Sequence, residues 1–338
     1  MTATATFHVP DPEGRLAGVR LHPDAPIPAG LLDFRHEDGG WILGIERPPV
    51  SRLEYLLEFR YPDGHDETGT DPGNPRLAAG AFGAKSVLEF PDYRAPAWLT
   101  TPASAGVNRE YRYGEIDVRV WCPDEMADDE PVPLLVAHDG PEYDALASLT
   151  RYLSAGITGG WLPRLRAALL SPGPRNRWYS ADPGYARALR FTVLPALISQ
   201  LATTKRIGMG TSLGALAMLH AYCRYPGAFN ALFLQSGSFF CPRFDAQEQR
   251  FPYYRRVVRF VAGLQEDGRD GLPDRPIPVT LTCGAIEENA ENNRLMTATL
   301  RSRGYPATLY EVSDTHNYTA WRDAFDPHLT ELIGQVRR

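Results

Sequence analysis

The sequence has few cysteines and no long apolar run, and these shortages argue against several classes of protein. None of its four cysteines, Cys122, Cys223, Cys241 and Cys283, forms a C-x-x-C pair. Zinc ribbons and dithiol redox motifs need such pairs, so neither is predicted, and the thiols are expected to be buried and free. No apolar run approaches the roughly 20 residues of a membrane-spanning helix, so no membrane protein is predicted.

Basic residues are fewer than acidic ones, and they are not clustered. The formal net charge is −6, and basic residues form no runs, so a nucleic-acid or anionic membrane partner is not expected. Residues 1–10 lack a basic start followed by an apolar core, so no signal peptide is predicted and the expected location is the cytoplasm. The 338 residues, 43% hydrophobic and 22% charged, predict a globular protein of about two domains.

Residues 1–100 are predicted to form an all-β domain. Short apolar or alternating runs are separated by turn signals such as His-Glu-Asp-Gly-Gly at 36–40 and Pro-Asp-Gly at 62–64. This spacing is typical of a small antiparallel sandwich of the immunoglobulin-like kind. Residues 101–108, rich in small residues and without periodicity, are predicted to be the linker to a second domain.

Residues 109–338 alternate between strand and helix patterns, which predicts an α/β domain with a mostly parallel sheet. The continuous apolar run at 132–137 is typical of a central parallel strand. Residues 113–122 alternate and predict an edge strand. Residues 145–170 are predicted to be mostly helical, and 187–201 an amphipathic helix.

The most informative stretch is Gly210-Thr211-Ser212-Leu213-Gly214. It fits the G-x-S-x-G nucleophile elbow, in which a strained turn between a strand and a helix exposes the serine hydroxyl. Apolar strand residues precede the motif and helix formers follow it, as the elbow requires. Ser212 is therefore the candidate nucleophile.

A serine hydroxyl needs a base to accept its proton. In this type of sheet the order along the chain is serine, acid, histidine, each after a strand. Outside the helix that carries His220, only His316 and His328 follow Ser212. His316 comes directly after a predicted strand whereas His328 does not, so His316 is the predicted base and His220 a packing or surface residue.

Two neighbouring glutamates could orient the base. Glu287 and Glu288 follow the predicted strand at 279–283, where the acid should lie, and Asp314 is a weaker rival beside the histidine. A glutamate can make the same hydrogen bond to the imidazole as an aspartate. The sequence pattern alone leaves the choice between the two glutamates open.

Two backbone N–H groups should form an oxyanion hole. One is expected from Leu213, just after the nucleophile, and the other from the loop after the strand at 132–137. Pro141 in that loop has no N–H, so the second donor is predicted to be Gly140, Glu142 or a neighbouring residue.

These motifs together resemble the enterochelin (ferric enterobactin) esterase family, within a wider esterase group of α/β-hydrolases. The resemblance covers most of the chain. It rests on the elbow, on His-Asp-Gly at 138–140, on Gln-Ser-Gly-Ser at 235–238, on the acid loop at 284–287, and on the histidine segment 316–322. The family also joins a β-sandwich to a hydrolase domain.

The resemblance implies hydrolysis of esters, such as the lactone links of a catecholate trilactone, and it places the acid at Glu287. The expected partner is a small-molecule ester, with a ferric siderophore as one candidate, and no metal or organic cofactor is expected. Basic and aromatic side chains near the motifs are candidates for contacts with an anionic aromatic substrate, with a purely structural role for their loop as the alternative. They are Arg175, Arg177, Trp178, Tyr179, His138 and Trp321.

Two other functions are consistent with the sequence. An acyltransferase would use the same three residues with an alcohol in place of water. A catalytically inactive ligand- or carbohydrate-binding protein would explain the sandwich domain, although the intact order of serine, glutamate and histidine favours an enzyme.

Overall fold

The computed structural model describes residues 4–265 and 271–337. Residues 1–3, 266–270 and 338 of the predicted domains lie outside this range. The chain forms two compact units. The first unit contains the N-terminal segment and two later loops, residues 1–94, 284–287 and 312–320. The second unit contains the remainder, residues 95–283, 288–311 and 321–338.

The N-terminal segment of the first unit is built from eight strands. They are β1 Thr4–Pro10, β2 Gly18–Pro23, β3 Arg35–Glu37, β4 Gly40–Glu46, β5 Arg52–Arg60, β6 Asp66–Gly69, β7 Leu77–Ala78 and β8 Lys85–Glu89. One antiparallel sheet has the order β1-β4-β3; the other has the order β2-β5-β8-β7, with β6 paired to β5.

The two sheets share one hydrophobic core. Side chains along β1 alternate strictly between exposed and buried, as a strand with one solvated face does. The rings of Phe7 in β1 and Tyr55 in β5 meet edge to face at 5.0 Å between centroids. The antiparallel sheets agree with the expected all-β composition, while the immunoglobulin-like topology and the proposed domain boundaries stay predictions.

The second unit is organised by a sheet of eight strands. They are β9 Val107–Tyr113, β10 Ile116–Cys122, β11 Val132–Ala137, β12 Arg166–Leu170, β13 Thr203–Thr211, β14 Ala231–Gln235, β15 Val279–Gly284 and β16 Ala307–Val312. Their order is β16-β15-β14-β13-β11-β12-β10-β9, and the pairs from β15 through to β12 are parallel. The predicted α/β class with a mainly parallel sheet is thus confirmed.

Helices cross between these strands. They are α1 Gly140–Ala147, α2 Leu149–Thr158, α3 Arg175–Trp178, α4 Pro183–Ala188, α5 Leu194–Gln200, α6 Leu213–Arg224, α7 Tyr254–Gln265, α8 Ala290–Ser302, α9 Tyr318–Asp323 and α10 Thr330–Arg337. A π-helical turn, Leu189–Val193, joins α4 to α5, so the helix predicted at 187–201 forms, although it begins earlier. The fold also contains α7, which the sequence analysis did not predict.

One strand prediction and part of one helix prediction were wrong. The segment predicted as an edge strand, β10, lies between β12 and β9, and β9 is the true edge. The segment 145–170, predicted to be mostly helical, ends in strand β12. Arginine, alanine and leucine favour helices, but every residue of β12 is buried, and the two flanking strands override that preference.

The burial that was expected for all four cysteines is found for two of them. All four cysteines are free, Cys122 and Cys283 buried and the other two half-buried. Within residues 4–265 and 271–337, no helix has the length and apolar character needed to cross a membrane.

Candidate active site

Ser212 lies between β13 and α6 in a sterically strained backbone conformation. Its φ is 54° and its ψ is −124°, a backbone region that residues other than glycine rarely occupy. The turn is tight because a Cβ at Gly210 would lie 2.4 Å from the carbonyl oxygen of Gly214. The glycine at the first motif position is therefore required by backbone packing, and the elbow predicted from the sequence has the expected local form.

The hydroxyl of Ser212 has a second serine as its neighbour. Ser212 Oγ lies 3.1 Å from Ser238 Oγ, and Ser238 is almost fully buried. The backbone N–H of Ser212 donates to the carbonyl of Gln235 at 2.9 Å, and the N–H of Ser238 donates to the carbonyl of Ser212 at 3.1 Å. The segment that follows β14 therefore fixes both the backbone and the hydroxyl of the candidate nucleophile.

Buried amide and indole groups hold this segment. Asn293 on α8 both accepts from the N–H of Gly237 at 3.1 Å and donates to its carbonyl at 2.9 Å. The indole N–H of Trp321 donates to Ser236 Oγ at 2.9 Å. Trp321 is only 6% exposed, so the structure places this predicted substrate contact inside the protein, where it supports the strand end.

On the other side of β13, the loop after β11 leads into α1. Asp139 adopts a left-handed conformation with φ 49°, and a Cβ at Gly140 would lie 2.3 Å from the Cα of Leu169. Gly140 begins α1 as Leu213 begins α6, so neither backbone N–H has an acceptor within its own helix. These two of the three predicted oxyanion donors thus lie at helix starts, where the helix dipole also favours negative charge.

Three predicted substrate contacts are buried in the core of the second unit. His138 and Tyr179 are 0% exposed and Trp178 is 6% exposed. The imidazole of His138 stacks on Tyr179 with 4.6 Å between centroids, and its Nδ1 lies 2.9 Å from the carbonyl oxygen of Gly214. Burial lowers the pKa of His138 to about 4. His138 and Tyr179 therefore pack inside the protein next to the elbow and present no surface to a substrate, whereas the small exposed part of Trp178 lines the same cleft as Arg177.

The two predicted arginines differ in their surroundings. Arg175 makes a bidentate ion pair with the buried carboxylate of Asp139, with both N–O distances 2.8 Å. Arg177 is exposed and lines a cleft of about 390 Å³ beside the turn between β9 and β10. Glu142, the other candidate oxyanion residue, is half-buried near Asp139, and burial raises the pKa of its carboxyl.

The predicted acid and base are in contact. Glu287 Oε1 lies 3.3 Å from His316 Nδ1, and the glutamate side chain is 0% exposed while that of the histidine is 24% exposed. The other carboxylate oxygen accepts from the backbone N–H of Gly284 at 3.0 Å. Glu287 is thus fixed by the end of β15 and leaves Nε2 of His316 as the ring nitrogen directed away from the acid.

The rival residues have other surroundings. Glu288 is exposed. Asp314 accepts from Asn317 Nδ2 at 2.8 Å and contacts Arg52, rather than the ring of His316. His328 stacks on Tyr310 at 3.8 Å between ring centroids.

Glu287 and His316 belong to the first unit, and Ser212 belongs to the second. In the described part of the chain, no group of three or more His, Cys, Asp or Glu side chains could hold a metal ion.

Comparison with known protein families assigns the chain. Residues 111–332, more than half of the chain, match the family described as "Putative esterase". The protein belongs to this esterase family. The matched residues run from β9 to α10, so they include the elbow and the loops that carry Glu287 and His316. The esterase is accordingly a carboxylic ester hydrolase, as the sequence analysis predicted.

Solved structures of other esterases share the fold. The enterochelin esterase from Shigella flexneri superposes with a TM-score of 0.74 at 19% identity, covering 99% of this chain and 93% of its own. The ferric enterobactin esterase from Salmonella typhimurium gives 0.74 at 17% identity, with coverages of 99% and 95%. The predicted resemblance to the enterochelin esterases is thus confirmed.

A more distant relative has a shorter chain. The feruloyl esterase module from Clostridium thermocellum has a TM-score of 0.52 at 16% identity, covering 70% of this esterase and 92% of the module. A search of curated protein sequences found no match.

The structure also contains residues that the sequence analysis did not assign. Ser238 was noted only as part of the stretch Gln-Ser-Gly-Ser at 235–238, and Asn293 was not singled out. The signal for Ser238 was its place after β14, because residues at the carboxyl ends of neighbouring parallel strands meet at one edge of the sheet. Asn293 had no such signal, since a buried asparagine on a helix follows no pattern in the sequence.

Proposed function

We propose that this esterase acts through a Ser212–Glu287–His316 triad and an acyl-enzyme. Ser212 Oγ attacks the ester carbonyl while His316 takes its proton, and the histidine then gives that proton to the departing alcohol. Glu287 holds the imidazole in the required tautomer. Water, deprotonated by His316, then attacks the acyl-enzyme and releases the carboxylic acid.

The backbone of Ser212 is the observation that carries the proposal. A serine held at φ 54° and ψ −124° between a buried strand and a helix has a conformational cost of order 1–3 kcal/mol. Backbone strain of this kind is concentrated at active sites and ligand-binding sites. The contact between Glu287 and His316 supports the other two roles.

We propose Leu213 and Gly140 as the oxyanion donors, with the N–H of Glu142 as the other candidate beside Pro141. As helix-start amides, the first two are oriented before substrate arrives. Such donors are each worth about 10²–10³ in rate.

The main test is a serine replacement with a matched control. Ser212→Ala is expected to lower kcat for p-nitrophenyl butyrate by at least about 10³, because the nucleophile is lost, and to abolish labelling by a fluorophosphonate probe. Ser199→Ala removes an exposed hydroxyl on α5 that donates to the carbonyl of Ala196, and it should leave both unchanged. Unaltered hydrolysis by Ser212→Ala would show that the serine is not the nucleophile.

For the substrate, we propose the ester of a catecholate siderophore. The Shigella flexneri esterase was solved in the presence of enterobactin and of 2,3-dihydroxy-N-benzoylserine, and it covers almost all of this chain. Arg177, exposed beside its cleft, is a candidate contact for an anionic aromatic group.

A panel of esters tests the substrate. Iron-loaded trilactone, iron-free trilactone and a feruloyl ester should be compared at equal concentration. We expect the trilactones to be cleaved with a kcat/KM at least about tenfold above that of the feruloyl ester, a difference of about 1.4 kcal/mol. The reverse order would reject the siderophore proposal. Adding an acceptor alcohol and analysing the products would detect acyl transfer.

A further inference from the structure

The segment that carries His316 is attached to a distant strand by a buried arginine. Arg52 begins β5, and its side chain is only 3% exposed. Its Nη1 lies 3.3 Å from Asp314 Oδ2 and 3.2 Å from Asn317 Oδ1. Its Nη2 donates to Glu54 Oε1 at 2.9 Å. One guanidinium therefore joins a residue just before the histidine to a residue just after it.

The acceptors of Arg52 in turn fix the backbone around His316. Asp314 Oδ1 accepts from the N–H of Thr315 at 2.8 Å and from Asn317 Nδ2 at 2.8 Å. Asn317 Oδ1 also accepts from the N–H of Ala320 at 2.8 Å, in the first turn of α9. The short loop that contains His316 thus has two side chains, those of Asp314 and Asn317, that both contact the guanidinium of Arg52.

The residue preceding Arg52 adds a second attachment. The N–H of Ser51 donates to the carbonyl of Ser313 at 2.7 Å, and its hydroxyl donates to the same oxygen at 3.0 Å. Two consecutive residues of the N-terminal segment, Ser51 and Arg52, therefore form hydrogen bonds with the start of the loop that carries His316. Glu287, by contrast, contacts the imidazole ring of His316 itself.

Arg52 is the cation that pairs with two buried carboxyl groups, those of Glu54 and Asp314. Glu54 and Asp314 are both buried, and Asp24 also interacts electrostatically with the guanidinium. The aromatic ring of Tyr93 lies 5.9 Å from the guanidinium carbon. Burial raises the pKa of Glu54 and of Asp314, while the guanidinium opposes that rise. Without the arginine, two buried carboxyl groups would lose their shared cation.

From this arrangement we infer that Arg52 is a positioning residue for the catalytic base, acting on His316 through Asp314 and Asn317. The inference rests on the proposed function, since it concerns the base of the proposed triad. Glu287 sets the orientation of the ring, and Arg52 sets the place of the backbone that carries it. A displacement of about 1 Å in a catalytic group can cost about 10² in rate.

The experiment compares variants of the full chain. Arg52→Met keeps the aliphatic stem and removes the fork, and Arg52→Lys keeps the charge with a single donor group. Arg60→Met is the matched control, because Arg60 ends the same strand and is 39% exposed, with ion pairs to Asp33 and Glu58. For each variant, kcat and KM for p-nitrophenyl butyrate, the fluorophosphonate labelling rate and the thermal midpoint are measured.

We expect Arg52→Met to lower kcat about 100-fold with KM changed less than about threefold, and to slow labelling in parallel. Arg52→Lys should recover part of the loss, to a kcat between about threefold and tenfold below that of wild type, and Arg60→Met should match wild type. A folded Arg52→Met protein with kcat within threefold of wild type overturns the inference, as does a loss that only follows the unfolded fraction. If Arg52→Met does not fold, Arg52→Lys decides: kcat within twofold of wild type overturns it.

Ser212→Ala separates this inference from the proposed function. If Ser212→Ala remains active, the serine mechanism fails, and with it the role of His316 as its base. If Ser212→Ala is inactive while both Arg52 variants behave as wild type, the mechanism stands and only the positioning role is rejected.

Discussion

Glu287 and Glu288 are adjacent in sequence but have opposite surroundings. The first has a side chain that is 0% exposed and 3.3 Å from the imidazole of His316, and the second is exposed. The sequence could place the acid in this loop, because acids follow a strand end in this fold. It could not choose between the two residues, since loops lack the periodicity that assigns side chains to a face.

Removing the charge of the acid should show which glutamate acts. Glu287→Gln keeps the shape but loses the carboxylate that fixes the imidazole tautomer, so kcat/KM should fall about 10²–10⁴-fold. Glu288→Gln is the matched control and should stay within about twofold of wild type. Steady-state hydrolysis of p-nitrophenyl butyrate measures both. A large loss in Glu288→Gln, with Glu287→Gln nearly unaffected, would reverse the assignment.

At the scale of elements, the elbow depends on close backbone packing between β13 and α6. A Cβ at Gly210 would lie 2.4 Å from the carbonyl oxygen of Gly214 and 2.8 Å from the backbone nitrogen of Ala215. We therefore expect Gly210→Ala to destabilise the protein by about 1–3 kcal/mol and to lower kcat by displacing Ser212.

A glycine with free space provides the control. A Cβ at Gly263 in α7 would meet nothing within 4 Å, so Gly263→Ala should stabilise the helix by about 0.5–1 kcal/mol without changing kcat. Urea denaturation followed by circular dichroism measures both variants. The packing argument for the elbow would be refuted by a Gly210→Ala protein with unaltered midpoint and activity.

Strand β12 shows where prediction from local sequence ends. Its composition favours a helix, yet it lies between β11 and β10 in the sheet. Arg166, at its start, is 1% exposed and donates to the carbonyls of Glu130, Ala202 and Ala127. Those acceptors are distant along the chain, so no local window contains them. Strands with clear apolar runs, such as β11 and β15, were predicted because their signal is local.

The same limit applies to the whole molecule. The order of Ser212, Glu287 and His316 along the chain could be found by counting, because the fold restricts where each must occur. Arg52 could not be found in this way, since its partners Asp314 and Asn317 are 262 and 265 residues later. Contacts at that separation follow from the complete topology, and a single sequence carries no pattern for them.

Two buried histidines should make the second unit sensitive to acid. Burial lowers the pKa of His138 and of His220 to about 4, below the ordinary value of about 6.5. Between these values the unfolded chain binds more protons than the folded one. Stability is therefore full above about pH 6.5, and falls as the pH drops towards 4. In the first unit, the raised pKa values of Glu54 and Asp314 act in the opposite direction.

His220→Phe tests this account, because a phenyl ring can keep the edge-to-face contact of the imidazole with Phe260, now 4.9 Å between centroids. One such histidine should cost the wild-type protein about 2 kcal/mol between pH 7 and pH 5, or roughly 5 °C in the thermal midpoint of a unit this size. Thermal unfolding at both pH values should show a smaller difference for His220→Phe than for wild type. An equal pH dependence in the two proteins would mean that His220 has the same pKa in the folded and unfolded states. Its burial would then make no contribution to the pH dependence of stability.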